Sequence, residues 1–510
     1  MKYILMILFY FNILIPTKYL LMMFQQNRYE ISRYHKWNSI KGILKRNYIN
    51  IVAVIILIIL DNRPLFMIMT IILIIYNLYN VFNKKYLKPL VITNRVKRQI
   101  ITFFILDFLI LFIFSFINIT LAIAIGICIN ELFIYLVAII NNPIEKYFHT
   151  KYKNNSKKLL DSYNRLIKIG ITGSYGKTTS KNIINQVVSS QYYSLMSPKS
   201  YNTPMGISRT INEYLKPLHE VFVCEMGADH VGDIKELVEY VNPKIGIVTS
   251  IGPQHLQTFK KLENIINEKM QIIEKLNSDG IGIINIDNEY IRNYVIKNPI
   301  KIISVGIDND ADYKASNIKY HNLGSSFDIT YNKITYSLNT KLLGKHNIIN
   351  ILLSVACARE LDISWENIIR AVNNMDYVEH RLQLKKINGY TFIDNAFNSN
   401  PEGCKMSLEV ISNMKNKRYI VTPGLIDLGE QQDKYNYEFG EYMYNRVDYV
   451  VLVGVNQTKM IHKALKENNF NMDNVFVVDT IYDAFNLVYS KANIDDIILL
   501  ENDLPDAFNN

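Results

Sequence analysis

Hydrophobic and polar positions obey different rules on either side of residue 160. Before it, apolar runs recur over residues 3–24, 49–60, 65–82, 100–117 and 119–140. A helix needs about 20 apolar residues to cross a bilayer. The last two runs reach that length with only Asp107 and Glu131 ionisable, whereas the first is broken by Pro16, Thr17 and Lys18 and the second is short. The pattern predicts an all-α transmembrane region over residues 1–145, with four to five spans. Beyond residue 160, short β-rich runs alternate with helical stretches, which predicts an α/β body with a doubly wound parallel sheet. Its strands are expected at 166–171, 221–225, 245–249, 281–285 and 301–305. A β-rich patch with turn residues covers 311–338, and a helical run follows Gly344 to about Leu361. A second α/β series opens near Gly389, with strands at 390–394, 418–422, 449–453, 475–478 and 496–500. The domains predicted are therefore 1–145, 160–376 and 377–510, the last two meeting near Asp376.

Charge sharpens this division. The chain has 510 residues, 49% hydrophobic and 20% charged, with a net charge of +10. That composition disfavours both disorder and a wholly membrane-embedded transporter. Residues 1–160 hold 20 Lys/Arg and 5 Asp/Glu, so the basic excess lies wholly in the first third and is no sign of nucleic-acid binding. Basic clusters around residues 28–46, 84–98 and 146–158 alternate with nearly uncharged connections. By the positive-inside rule this predicts a multi-pass protein of the cell membrane, with the lipid bilayer as partner and everything after residue 145 in the cytoplasm. A cleaved signal peptide is not expected, since Lys2 is a thin basic start and no small-residue cleavage site follows. Asp107 and Glu131 are read as facing another helix or an interface rather than lining an ion path. Cys128, Cys224, Cys357 and Cys404 form no CxxC pair, so no zinc ribbon is indicated.

The strongest chemical signal is Gly173-Ser174-Tyr175-Gly176-Lys177-Thr178-Thr179, where an expected strand enters a glycine turn and a helix opens. Backbone amides of such a turn cradle phosphate oxygens, and the helix N-terminus favours negative charge. Lys177 would neutralise the β- and γ-phosphates of ATP, and the Thr178 hydroxyl would hold Mg²⁺. Glu225 ends an apolar strand, where ligand chemistry gathers in open α/β sheets. By itself it reads equally as a Mg²⁺ ligand or a surface residue. His255 alone reads as a structural histidine, and Lys269 as a solvated residue on a helix face.

The ordered set is more specific than its parts. After the phosphate loop come Asn202-Thr203-Pro204-Met205-Gly206, Glu225-Met226-Gly227, Ile251-Gly252-Pro253-Gln254-His255 and Glu268-Lys269. Further on are Asn285-Ile286-Asp287, Gly344-Lys345-His346-Asn347-Ile348-Ile349-Asn350, His380-Arg381, and Asp394 followed by Asn398-Ser399-Asn400-Pro401. Over residues 165–510 this order resembles the Mur ligase family, most closely the branch that adds D-alanyl-D-alanine to the muramoyl tripeptide.

The resemblance implies a P-loop-type central ATPase domain followed by a Rossmann-like C-terminal domain. It also implies an ATP- and Mg²⁺-dependent amide ligase that activates a carboxylate as an acyl phosphate. Carried over by motif, Gly173, Ser174, Gly176, Lys177, Thr178 and Thr179 would bind the phosphates. Glu225 would join Thr178 on one Mg²⁺, and His255 would bind a second. Lys269 would be carbamylated and support the metal site. Asn285 and Asn347 would lie near the adenine, and Arg381 and Asp394 would approach from the C-terminal domain.

The partners implied are a cell-wall precursor, UDP-linked or lipid-linked, and a small peptide or amino-acid amine. The chain departs from the family in three places. Apolar runs stand where the family has a soluble N-terminal domain, Asn395 follows Asp394 where a second acid is usual, and Leu500-Glu501-Asn502 replaces a Lys/Gly/Ser-type ending. The competing readings are a poly-γ-glutamate synthase, an ATP-driven transporter, for which no signature helix or Gln loop is found, and an inactive membrane scaffold.

Overall fold

The computed structural model describes residues 15–38, 48, 52, 68, 71–79, 88–116, 119–321, 324–396, 400–426 and 428–502. The chain divides into two compact units, one of residues 1–151 with 504–510 and one of residues 152–503.

The described part of the first unit does not bear out the expected membrane region. No helix among the described residues is long and apolar enough to cross a bilayer. The multi-pass membrane localisation is therefore overturned, and among the described residues neither the transmembrane region nor the bilayer as partner finds support. The 49–60 run and most of the 3–24 run lie outside the described residues. The last two runs fall in helices Asn94–Ser115 and Ile119–Ser162, which also carry polar groups. Asp107 and Glu131 are buried. Arg98 donates to both oxygens of Glu145, at 2.6 and 2.7 Å, and Asn141 donates to the Thr102 hydroxyl at 2.9 Å. These polar pairs join the two helices to each other.

The second unit contains two sheets. The first has nine strands: β1 (Ile167–Thr172), β2 (Ser194–Met196), β3 (Val221–Glu225), β4 (Ile245–Val248), β5 (Ile281–Asn285), β6 (Lys301–Gly306), β7 (Tyr313–His321), β8 (Gly324–Tyr331) and β9 (Ile334–Thr340), in the order β2-β3-β1-β4-β5-β6-β7-β8-β9. Strands β1 to β6 pair in parallel, while β7, β8 and β9 form an antiparallel extension. The β-rich patch expected over 311–338 is this extension. Strand β2 escapes sequence reading because it is only three residues at a sheet edge.

Ile169, Ile171, Val221, Val223, Ile245 and Ile247 are buried, as expected for parallel strands covered on both faces. On one face they pack against helices Lys177–Val188 and Lys345–Arg359, on the other against Asp233–Val241 and Leu262–Glu274. Because β1 lies between β3 and β4, connections leave it in opposite directions, which opens a crevice at its carboxyl end.

The second sheet holds β10 (Gln383–Ile387), β11 (Tyr390–Asn395), β12 (Arg418–Thr422), β13 (Tyr449–Val453), β14 (Val475–Val478) and β15 (Ile497–Glu501), ordered β10-β11-β15-β12-β13-β14. Only β10, which starts before the expected opening at Gly389, runs antiparallel. It is a half-exposed edge strand with a polar sequence, so it gives no apolar signal.

Candidate active site

The site begins where β1 meets the phosphate loop. Gly173 and Gly176 both take positive φ, 152° and 79°. A Cβ on Gly173 would stand 2.1 Å from the Thr249 hydroxyl, so only glycine lets the turn close on β4. Ser174 N–H donates to Ser250 O at 2.7 Å, and Ser174 Oγ donates to Gly252 O at 2.9 Å. The Tyr175 hydroxyl donates to Pro253 O at 2.6 Å. These bonds lock the loop onto the segment after β4.

Lys177 Nζ turns back over the loop and donates to Gly173 O at 2.5 Å and Ser174 O at 3.1 Å. Burial lowers its pKa to about 8, with Glu225 pulling upward and Arg381 adding to the fall. A cation held above a ring of backbone amides suits a polyphosphate.

Glu225, at the carboxyl end of β3, is 1% exposed. Its Oε1 accepts from the Thr178 hydroxyl at 3.2 Å and from Asn202 Nδ2 at 2.9 Å, and its Oε2 lies 3.2 Å from Lys181 Nζ. A buried carboxylate touching the loop hydroxyl is a hard-oxygen pair of the kind Mg²⁺ prefers, so these residues fit that ion. Lys181 and Asn202 had no role from sequence. Lys181 lies one helical turn beyond Lys177, which is the signal that placed it there.

Lys269 is buried in the helix Leu262–Glu274, which the solvated-face reading did not foresee. Its Nζ donates to Ala228 O at 3.4 Å, and burial, followed by the nearby Lys177 charge, lowers its pKa to about 7. A neutral amine at this depth is chemically able to take up CO₂. His255 has left-handed φ of 51° and sets Nε2 3.2 Å from Asp229 Oδ1. Glu268, also buried, accepts from the N–H groups of Gly232 at 2.8 Å and Ile234 at 2.6 Å. Glu268→Ala would strand both donors and is expected to destabilise the unit by about 2–3 kcal/mol, read by urea denaturation.

On the far side of β1, Asn285 lines the cleft, donating to Thr249 O at 2.9 Å and accepting from Asp287 N–H at 3.1 Å. Arg381 lines the same cleft, and burial lowers its pKa. Two expected residues are turned elsewhere. Asn347 donates to Leu343 O at 2.8 Å inside its own helix, and His346 and Asn350 line the cleft instead. Asp394 accepts from Lys385 at 2.6 Å and contacts His380 Nδ1 at 2.8 Å; burial would raise its pKa, but these bonds and that from Ala396 N–H hold it below the ordinary carboxylate range.

Two departures from the expected pattern prove to be one contact. Asn395 and Glu501 are register partners on β11 and β15, and Asn395 Nδ2 donates to both oxygens of the buried Glu501, at 3.0 and 2.9 Å. Cys224, Cys357 and Cys404 are buried and not joined in disulfides, and Cys404 Sγ donates to Glu501 Oε1 at 3.4 Å. The segment 397–399 of the Asp394 motif, with Asn398, lies outside the described residues.

Comparison with known proteins gives this geometry a class. Residues 171–358 match the Mur ligase middle domain and residues 380–501 the Mur ligase glutamate ligase domain. A UDP-N-acetylmuramoyl-tripeptide–D-alanyl-D-alanine ligase of Bacillus subtilis is 27% identical over 337 residues, covering 65% of this chain and 72% of that protein. Its counterpart from Buchnera aphidicola is 28% identical, covering 59% and 64%. Among solved structures, a MurF ligase from Thermotoga maritima in complex with ADP shares the fold with a TM-score of 0.63 at 21% identity, covering 69% of this chain and 80% of that one. A MurF from Acinetobacter baumannii gives 0.62 at 22% identity, covering 69% and 77%.

The fold and the phosphate-loop site thus define an ATP- and Mg²⁺-dependent ligase with two α/β sheets. The chain belongs to the Mur ligase family.

Proposed function

We propose that this protein makes an amide bond in peptidoglycan precursor synthesis, joining the terminal carboxylate of a UDP-muramoyl tripeptide to D-alanyl-D-alanine. The observation that carries the reading is the buried Glu225 held against Thr178 at the mouth of the Gly173–Thr179 loop. The substrates are those in the names of the relatives above.

A carboxylate is a poor acyl donor until one oxygen becomes a phosphate leaving group. ATP gives its γ-phosphoryl to the carboxylate, releasing ADP; the amine nitrogen then attacks the acyl carbon, loses a proton, and expels phosphate. In our assignment Lys177 and the loop amides hold the β- and γ-phosphates, with Gly173, Ser174, Gly176, Thr178 and Thr179 shaping the cradle. Thr178 and Glu225 would hold one Mg²⁺, and His255 with a carbamylated Lys269 would serve a second. Bound there, Mg²⁺ would offset charge as two anions approach. Asn285 would contact the base, and Arg381, from the second sheet, would face the phosphates and help exclude water, to which an acyl phosphate is vulnerable. Residues 160–376 would then be the ATP-binding domain and 377–510 the C-terminal domain.

The test is a stoichiometric assay with the full chain, ATP, Mg²⁺, the tripeptide precursor in UDP-linked or lipid-linked form, and D-alanyl-D-alanine or glutamate. The expected product is the UDP-linked tripeptide plus the dipeptide less water, with one ADP and one phosphate per amide. Phosphate release independent of the amine, or a glutamate product, would overturn the reading.

A further inference from the structure

The loop after β3 carries a carboxylate that no motif singled out. Asp229 lies four residues beyond Glu225, and its Oδ1 stands 3.2 Å from His255 Nε2. The loop is firmly held. Asp233 Oδ2 accepts from the N–H groups of Asp229 at 2.9 Å and His230 at 2.8 Å, Glu268 accepts from Gly232 and Ile234, and Lys269 donates to Ala228 O. His255 is fixed independently, since it opens the helix Leu256–Phe259 and its carbonyl accepts from the N–H groups of Thr258 and Phe259. Two separate segments thus bring an oxygen and a nitrogen donor together, close enough to Lys177 and Lys269 for the Asp229 charge to act on both.

The approach has a direction. His255 Nδ1 is shut away from solvent, so Nε2 is the nitrogen offered to the site, and it points at Asp229. Mg²⁺ binds its ligands at about 2.0–2.1 Å in an octahedron, which sets neighbouring donors about 3 Å apart. It also tends to take only one or two protein carboxylates and to complete its shell with phosphate oxygens and water.

We propose that Asp229 is a further protein ligand, beside His255 and Lys269, of the second magnesium ion, the one that arrives with the nucleotide phosphates. Asp229 supplies a hard, anionic oxygen of its own, beside the one a carbamate on Lys269 would bring. This rests on reading the site as a Mg²⁺–ATP ligase.

The test is metal counting in the full chain. Wild type, Asp229→Asn, His255→Ala and the double variant are titrated with Mn²⁺ beside a non-hydrolysable ATP analogue, with bound metal read by electron paramagnetic resonance. Wild type is expected to bind two Mn²⁺ per nucleotide. Asp229→Asn should weaken one of them on the order of 10–100-fold and leave the other, and the metal-free affinity for the analogue, unchanged. The double variant should weaken that same ion further and still leave the other unchanged, because both side chains serve one ion. Asp229→Glu, which keeps the carboxylate, should restore part of the affinity and guards against a variant that fails to fold. Both Mn²⁺ affinities intact in Asp229→Asn would mean a simple ion pair and overturn the assignment. So would a wild type binding one Mn²⁺ per nucleotide, with the ligase reading left standing; failure of wild type to bind the analogue at all would overturn both.

Discussion

Lys177→Ala is expected to lower kcat/KM for amide formation on the order of 10³-fold, about 4 kcal/mol of transition-state stabilisation. The lysine is half-buried at the loop, where a cation is worth more than in water. Its Nζ rests on the Gly173 and Ser174 carbonyls, over the cradle that the phosphates would enter. Lys177→Arg should not rescue, because a planar fork cannot replace a compact ammonium within this turn. Steady-state kinetics with the product resolved by mass checks this, alongside a melting curve to show that both variants are folded. A loss of less than tenfold would place the phosphates elsewhere.

Lys269→Ala is expected to cost about 100-fold in kcat, of the size seen when a support of a metal site is removed. A carbamate forms when a neutral amine attacks CO₂ and releases a proton. Burial, followed by the Lys177 charge, lowers the Lys269 pKa to about 7, so the neutral amine prevails above that pH and the unreactive ammonium below it. Wild-type activity should therefore fall as pH drops through about 7, and added bicarbonate should oppose the fall. Lys269→Arg, permanently charged, should be as inactive as Lys269→Ala, and acetate should partly rescue only the alanine variant, by placing a carboxylate in the gap. Full activity in Lys269→Ala would end the carbamate assignment.

Much of the α/β body was legible because parallel strands covered on both faces read as short apolar runs. Strands β3, β5, β12, β13 and β14 fall where the pattern puts them. The phosphate loop was legible for a related reason: its glycines, lysine and threonines are contiguous, so local chemistry names them. The first third misled, because apolar runs and the charges between them carry no record of how helices pair. Asp107, Glu131, Asn141 and Glu145 are buried, and Glu145 pairs with Arg98 across the two helices.

Lys269 shows the other limit. A lysine in an amphipathic helix reads as solvated, and only the packing of Leu262–Glu274 against the sheet buries it. Asp229 and His255 are 26 residues apart, and Asn395 and Glu501 are 106 apart, yet each pair is in contact.

By itself the sequence determined the alternation of strands and helices, the phosphate loop and the chemistry of its side chains, since each depends on neighbours along the chain. The tertiary structure alone decided which charges are buried, which carboxylate meets which base, and that the apolar N-terminal helices pair through polar groups. Burial and pairing between distant residues follow from how elements pack, and no local pattern encodes that.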